Sequence, residues 1–168
     1  MTQIQTAANS PWRLLATPLC IAAMLTLGSC TGFDNGALPA GLTARMDAPG
    51  ANLDRSAAIA MVNHFRANQG VNQVSEDADL DARAQALAAQ YAQAGKPPAS
   101  DNSGPGVVRY SAGYSTFADT FSGWRNAPED AGALARPGVT RAGLGVAYVA
   151  NSAYGVYWVL IMSGNAGQ

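Results

Sequence analysis

A chain of 168 residues with a formal net charge of −1 and only 12% charged side chains carries no electrostatic footprint for nucleic acid or an acidic membrane surface. Its length suffices for one domain with a real core and not comfortably for two. Abundant Ala and Gly lower the surface charge without bringing the composition to that of a disordered chain.

The first thirty residues read as an address. Arg13 is the single charged side chain before an apolar run, Leu14 to Leu27, that is broken by Pro18. The run is too short to span a bilayer and suits the apolar region of a signal peptide. Leu27-Gly28-Ser29-Cys30 follows and resembles the bacterial lipobox, in which a leucine and two small residues precede the cysteine that is acylated and becomes N-terminal. The alternative is an ordinary secretory signal with an incidental cysteine. On the lipoprotein reading, residues 1–29 leave, Cys30 holds the membrane, and Thr31 after it favours the outer membrane, facing the periplasm. The chain's other cysteine, Cys20, leaves with the signal, so no internal disulfide is expected.

Residues 30–53 are rich in Gly, Ala and Pro without periodicity and read as a flexible tether. A helix is predicted from Asp54 to Gly70, with Ala58, Met61, Val62 and Phe65 as its buried stripe and Asn63 and Arg66 on an adjoining face. A second runs from about Asp79 to Ala94, with Leu80, Ala84, Leu87, Ala88 and Tyr91 on one side, until Gly95-Lys96-Pro97-Pro98 ends it. A loop, Pro97 to Gly106, leads to a short strand at Val107–Tyr110.

Thr116 and Asp119 then have the spacing of a capping box, and Phe117, Phe121 and Trp124 form an apolar stripe at i, i+4 and i+7. Pro128 opens a further short helix, with Glu129 and Asp130 where a helix start favours negative charge. Gly143 to Ala150 alternates, with Leu144, Val146 and Tyr148 on the bulky face and Gly143, Gly145 and Ala147 on the flat one. Asn151 to Tyr154 suits a hairpin turn. Val156 to Met162 is continuously apolar, as in a strand covered on both faces. The set is α+β: a three-layer α-β-α sandwich with a small, mainly antiparallel sheet between helices, spanning 54–165.

Asn63-His64-Phe65-Arg66-Ala67-Asn68-Gln69-Gly70, with Leu80 and the Ala84/Ala88 ladder, resembles the opening of bacterial CAP domains. This is the SCP-like group of cysteine-rich secretory proteins, antigen 5 and pathogenesis-related-1 proteins. Trp124-Arg125-Asn126-Ala127-Pro128, Leu134, Pro137, Thr140-Arg141 and Gly143 to Tyr148 are similar to the family's Trp-x-x-Ser-Pro-x-His segment, its leucine and the strand after it. Tyr157-Trp158 matches the tyrosine-tryptophan of the last strand. The match covers about Ala57 to Met162, in the family's order.

Many members of that family have a cleft with two histidines and two glutamates, sometimes with a divalent metal. Here the histidine expected before Asn63 is Val62, and the one expected two residues after Pro128 is Asp130. The only glutamates are Glu76 and Glu129, and no Gly-Glu-Asn segment lies between Lys96 and Trp124. No metal site and no cofactor are therefore expected. His64, the single histidine, reads as structural or solvated, because a histidine metal site needs further ligands. Ser115, Ser122 and Ser163 lack a histidine motif, and Gly143 and Gly145 lack the helix start of a phosphate loop. Trp124, Trp158 and Tyr148 read as core.

The resemblance and its departures together imply an envelope lipoprotein with a CAP domain that binds or scaffolds rather than catalyses. Its partners would be the membrane, through Cys30, and an envelope polymer, a protein or an apolar ligand. One alternative is an envelope hydrolase using Asp130 as its acid or base. Another is a binder of lipid or another apolar molecule, in a groove bordered by the Pro97–Gly106 loop and the small-residue helix face. Asn63, Arg66 and Asp130 are the cleft candidates.

Overall fold

The computed structural model describes residues 37–99 and 106–164. The signal segment, Cys30 and the centre of the loop after Pro98 lie outside the described residues. The elements in chain order are α1 (Ala40–Thr43), α2 (Arg55–Asn68), β1 (Ser75–Glu76), α3 (Ala78–Ala94), β2 (Val107–Ala112), α4 (Phe117–Asn126), α5 (Pro128–Leu134), β3 (Arg141–Tyr148) and β4 (Val156–Ser163).

Local chemistry starts and stops these helices. Asp54 accepts the Ala57 N–H at 2.9 Å before α2, and Asp77 accepts that of Leu80 at 3.0 Å before α3. Thr116 accepts the Asp119 N–H at 3.2 Å before α4 and donates its own hydroxyl to the Asp119 carboxylate at 2.7 Å. Pro128 stands in the first turn of α5, where a missing N–H costs nothing. Gly95 ends α3 in the left-handed region, φ 66°, and closes back on the Tyr91 carbonyl.

The sheet runs β1-β3-β4-β2, with the β3–β4 and β4–β2 pairs antiparallel and β1 parallel to β3. β1 pairs only through Ser75 and Glu76, both exposed, so no alternation announced it. β3 begins and ends two residues before the predicted strand.

β4 is the centre of the core. Val156, Trp158, Leu160 and Met162 pack with residues of α1, α2, α4 and α5 on one face. Tyr157, Val159 and Ile161 meet α3 on the other, so the molecule is the expected three-layer sandwich. The close approach of α3 rests on glycine: a Cβ on Gly143 would lie 2.2 Å from the Leu80 backbone, and one on Gly145 2.3 Å from that of Ala84. Both indoles are buried and satisfied. Trp124 Nε1 donates to the Tyr110 carbonyl at 3.1 Å and Trp158 Nε1 to that of Tyr114 at 2.8 Å.

One boundary needs correction. The described part of the segment read as a tether, 37–53, is packed. Leu42, Met46 and Leu53 are buried in the main core, α1 forms within it, and the Met46 N–H donates to the Ser115 carbonyl at 2.7 Å. Leu42, Met46 and Leu53 stand at i, i+4 and i+11, but Pro39, Gly41, Pro49 and Gly50 break the segment, so it reads as a tether although each of the three fills core volume.

Candidate functional site

Each of the cleft candidates is held by its own partner among the described residues. Asn63 projects from α2 to the loop before β1, where its amide donates to the Val74 carbonyl and accepts the Val74 N–H, both at 2.8 Å. Arg66, one turn further along α2, is completely buried. Its Nε donates to the Asn72 carbonyl at 2.8 Å, and its Nη1 donates to the carbonyls of Leu134 at 2.6 Å and Arg136 at 3.2 Å. Among the described residues no carboxylate pairs with it. The carbonyls at the C-terminal end of α5 supply the negative pole instead, while burial pulls the guanidinium pKa below its ordinary value.

Asp130 sits in the first turn of α5. Its Oδ1 lies 3.1 Å from Arg109 Nη1 of β2, and Glu129 Oε1 reaches the same nitrogen at 3.6 Å. The carboxylate thus straps α5 to the outer strand of the sheet. A carboxylate oxygen committed to an arginine is poorly placed as a general base, because the pairing occupies a lone pair that would have to accept the proton. The three candidates thus have separate partners among the described residues.

The positions matched to the family's histidines do not provide a metal centre. Val62 is completely buried in the core and has no donor atom to offer. Asp130 faces Arg109. Among the described residues no group of three or more His, Cys, Asp or Glu side chains could hold a metal ion.

A groove lies between α2 and α4. It encloses about 330 Å³, with Met61, Phe65 and Phe121 among its apolar walls and Leu38 at its rim. Phe65 and Phe121 meet edge to face, with centroids 6.0 Å apart, and so fix the floor. His64 and Arg125 stand at the polar border, and the His64 Nδ1 is 3.4 Å from the Asn68 amide nitrogen. The sequence marked both apolar stripes as core. Their polar neighbours, His64 with Asn68 and Ser122 with Arg125 at three- and four-residue spacing, were the available sign that one flank of each helix stays open.

The small-residue face expected to border an apolar-ligand groove is covered by the sheet, and residues 100–105 of the loop expected beside it lie outside the described residues. Ala84 and Ala88 are completely buried, and Gly143 and Gly145 bring the sheet into direct contact with α3.

The model of the cysteine-rich secretory protein family, CAP, matches residues 59–162. Among solved structures, an outer surface protein from Borrelia burgdorferi is similar with a TM-score of 0.56 at 13% identity, over 67% of this chain and 93% of that one. An extracellular protein containing an SCP domain from Bacillus anthracis str. Ames gives a TM-score of 0.53 at 12% identity, over 66% of this chain and 40% of its own. No curated protein matches the chain. At these identities the two structures speak for the fold alone. The family model, the ordered motifs and the three-layer sandwich agree: the chain belongs to the cysteine-rich secretory protein, or CAP, family.

Proposed function

We propose that the chain is a lipid-anchored CAP-domain protein of the bacterial cell envelope that works as a non-enzymatic binding or scaffold module. The observation that carries the reading is the fate of the two histidine positions. One is Val62, sealed in the core, and the other is Asp130, strapped to Arg109. The fold is kept, while the side chain at one position has no donor atom and the carboxylate at the other is paired with an arginine. The lipobox-like Leu27-Gly28-Ser29-Cys30 supplies the anchor, and Thr31 after it directs the protein to the outer membrane, facing the periplasm.

Two measurements test this. Cys30→Ala should appear in the soluble fraction, and membrane retention of that variant would refute the anchor. Calorimetric titration of the purified chain with zinc should give no stoichiometric, high-affinity binding; such a site would refute the non-catalytic reading. The α2–α4 groove favours a second reading, an apolar small molecule as the ligand, because its volume and its Met61, Phe65 and Phe121 walls suit one. Native mass spectrometry for co-purified lipid separates the two.

A further inference from the structure

The outer edge of β3 is closed in stages, and the last stage is left open. Val149 N–H donates to the Gly155 carbonyl at 2.8 Å, which places the odd-numbered residues of this strand in hydrogen-bonded register with β4. The backbone groups of Ala142, Leu144, Val146 and Tyr148 therefore point outward. β1 takes the first step, with Asp77 N–H donating to the Ala142 carbonyl at 2.9 Å. Side chains take the next two. Leu144 N–H donates to Asp81 Oδ1 at 2.7 Å, and its carbonyl accepts Arg55 Nε at 2.8 Å. The Gln85 carboxamide donates to the Val146 carbonyl at 2.7 Å and accepts the Val146 N–H at 3.4 Å, as one residue of a neighbouring strand would.

Tyr148 is the next outward residue, and no described group bonds its N–H or carbonyl. Beside it lies a cavity of about 410 Å³ between Gln85, Ala147 and Tyr148 on one side and Met46 and the Ala48–Ala51 loop on the other. None of the described residues lining it carries a charge. Val149, next in the chain, is 40% exposed.

We propose that this step of the β3 edge docks an uncharged, extended segment of a partner polypeptide, which pairs its backbone with Tyr148 and seats a small apolar side chain against Met46 and Ala147. A donor and an acceptor on one strand residue are matched together by one residue of an extended chain, the principle of strand addition. The charge-free walls select against acidic and basic segments, whose desolvation nothing there would offset. The inference rests on the reading of the domain as a binding module and names the chemistry of its partner.

The test uses the full chain and an array of uncharged hexapeptides rich in Ala, Val and Thr, each with an N-methylated counterpart. Capture of a subset is expected, with loss of at least about tenfold in affinity when the pairing amide is methylated or when Ala51→Arg places a charge in the wall. Gln85→Ala should tighten the captured peptides about fivefold by opening a second residue of edge at Val146. Capture indifferent to both methylation and Ala51→Arg, or no capture at all, would overturn the proposal. So would self-association that Ala51→Arg abolishes, since the occupant would then be a second copy. The zinc titration and the Cys30→Ala fractionation judge the module reading on separate readouts.

Discussion

Arg66 of α2 donates to the Leu134 carbonyl at 2.6 Å and so joins two residues 68 positions apart inside the core. With its bonds to Asn72 and Arg136, one guanidinium holds together the exit of α2, the end of α5 and the turn after it. Arg66→Ala would leave the buried Leu134 carbonyl without a donor, at about 1–3 kcal/mol, and would remove the part-buried bonds to Asn72 and Arg136. A loss of about 3 kcal/mol or more is expected in urea denaturation. Arg66→Lys should restore less than half, because a single ammonium cannot span carbonyls on three segments. An unchanged unfolding midpoint in Arg66→Ala would contradict this account.

The glycines of β3 give a second prediction with an internal control. An added methyl at Gly145 would meet the Ala84 backbone at 2.3 Å, and a helix backbone cannot rotate aside as a side chain can. Gly145→Ala should lose about 3 kcal/mol, at the upper end of overpacking costs, as α3 is forced off the sheet. Gly132, within α5, has nothing within 4 Å of its Cβ position. Gly132→Ala should therefore gain about 0.5–1 kcal/mol. Thermal melts of the pair decide it, and similar behaviour of the two variants would refute the packing argument.

What the sequence made legible was whatever has a period or a cap. Thr116 with Asp119, Pro128, Gly95 and the strand faces of β3 and β4 are local signals, and the structure places them as read. Leu42 and Met46 were illegible because Pro39, Gly41, Pro49 and Gly50 around them read as linker. β1 was illegible because it is two residues long. The partners of the site candidates were illegible for another reason. Arg66 and Asp130 are polar residues whose partners, Leu134 and Arg109, lie 68 and 21 positions away, and polarity alone does not tell a buried strut from a ligand.

Asp130 separates strut from catalyst by experiment. Its contact with Arg109 is partly exposed, so the pair is worth about 0.2–1 kcal/mol. Asp130→Asn should lower stability by less than about 1 kcal/mol and make the loss smaller at high salt, where the wild-type pair is screened. Loss of a hydrolytic activity on envelope polymer with an unchanged melting temperature would instead identify Asp130 as an acid or base.

Glu76 and Asp77 are neighbours with opposite shifts, and together they predict a pH signature. Desolvation, and then the nearby Asp81 carboxylate, push the Glu76 pKa up. The Leu80 N–H it caps, and then Arg141 at 2.9 Å, hold the Asp77 carboxyl down. For Glu76 the folded value lies above the unfolded one. Its charged form therefore costs stability at neutral pH, and that cost disappears as pH falls below the ordinary glutamate range. For Asp77 the folded value lies below the unfolded one. Its contribution is present above the ordinary aspartate range and is lost as pH falls through the folded value. Glu76→Gln should thus melt higher than wild type at neutral pH, and Asp77→Asn, which keeps a capping oxygen but not the charge, should melt lower. Both differences should shrink towards zero below about pH 4, where the carboxyls of the unfolded chain are protonated. Melting curves at neutral, mildly acidic and strongly acidic pH read this directly. A Glu76→Gln variant less stable than wild type by the same amount throughout would show that the carboxyl acts by its shape and not by its charge.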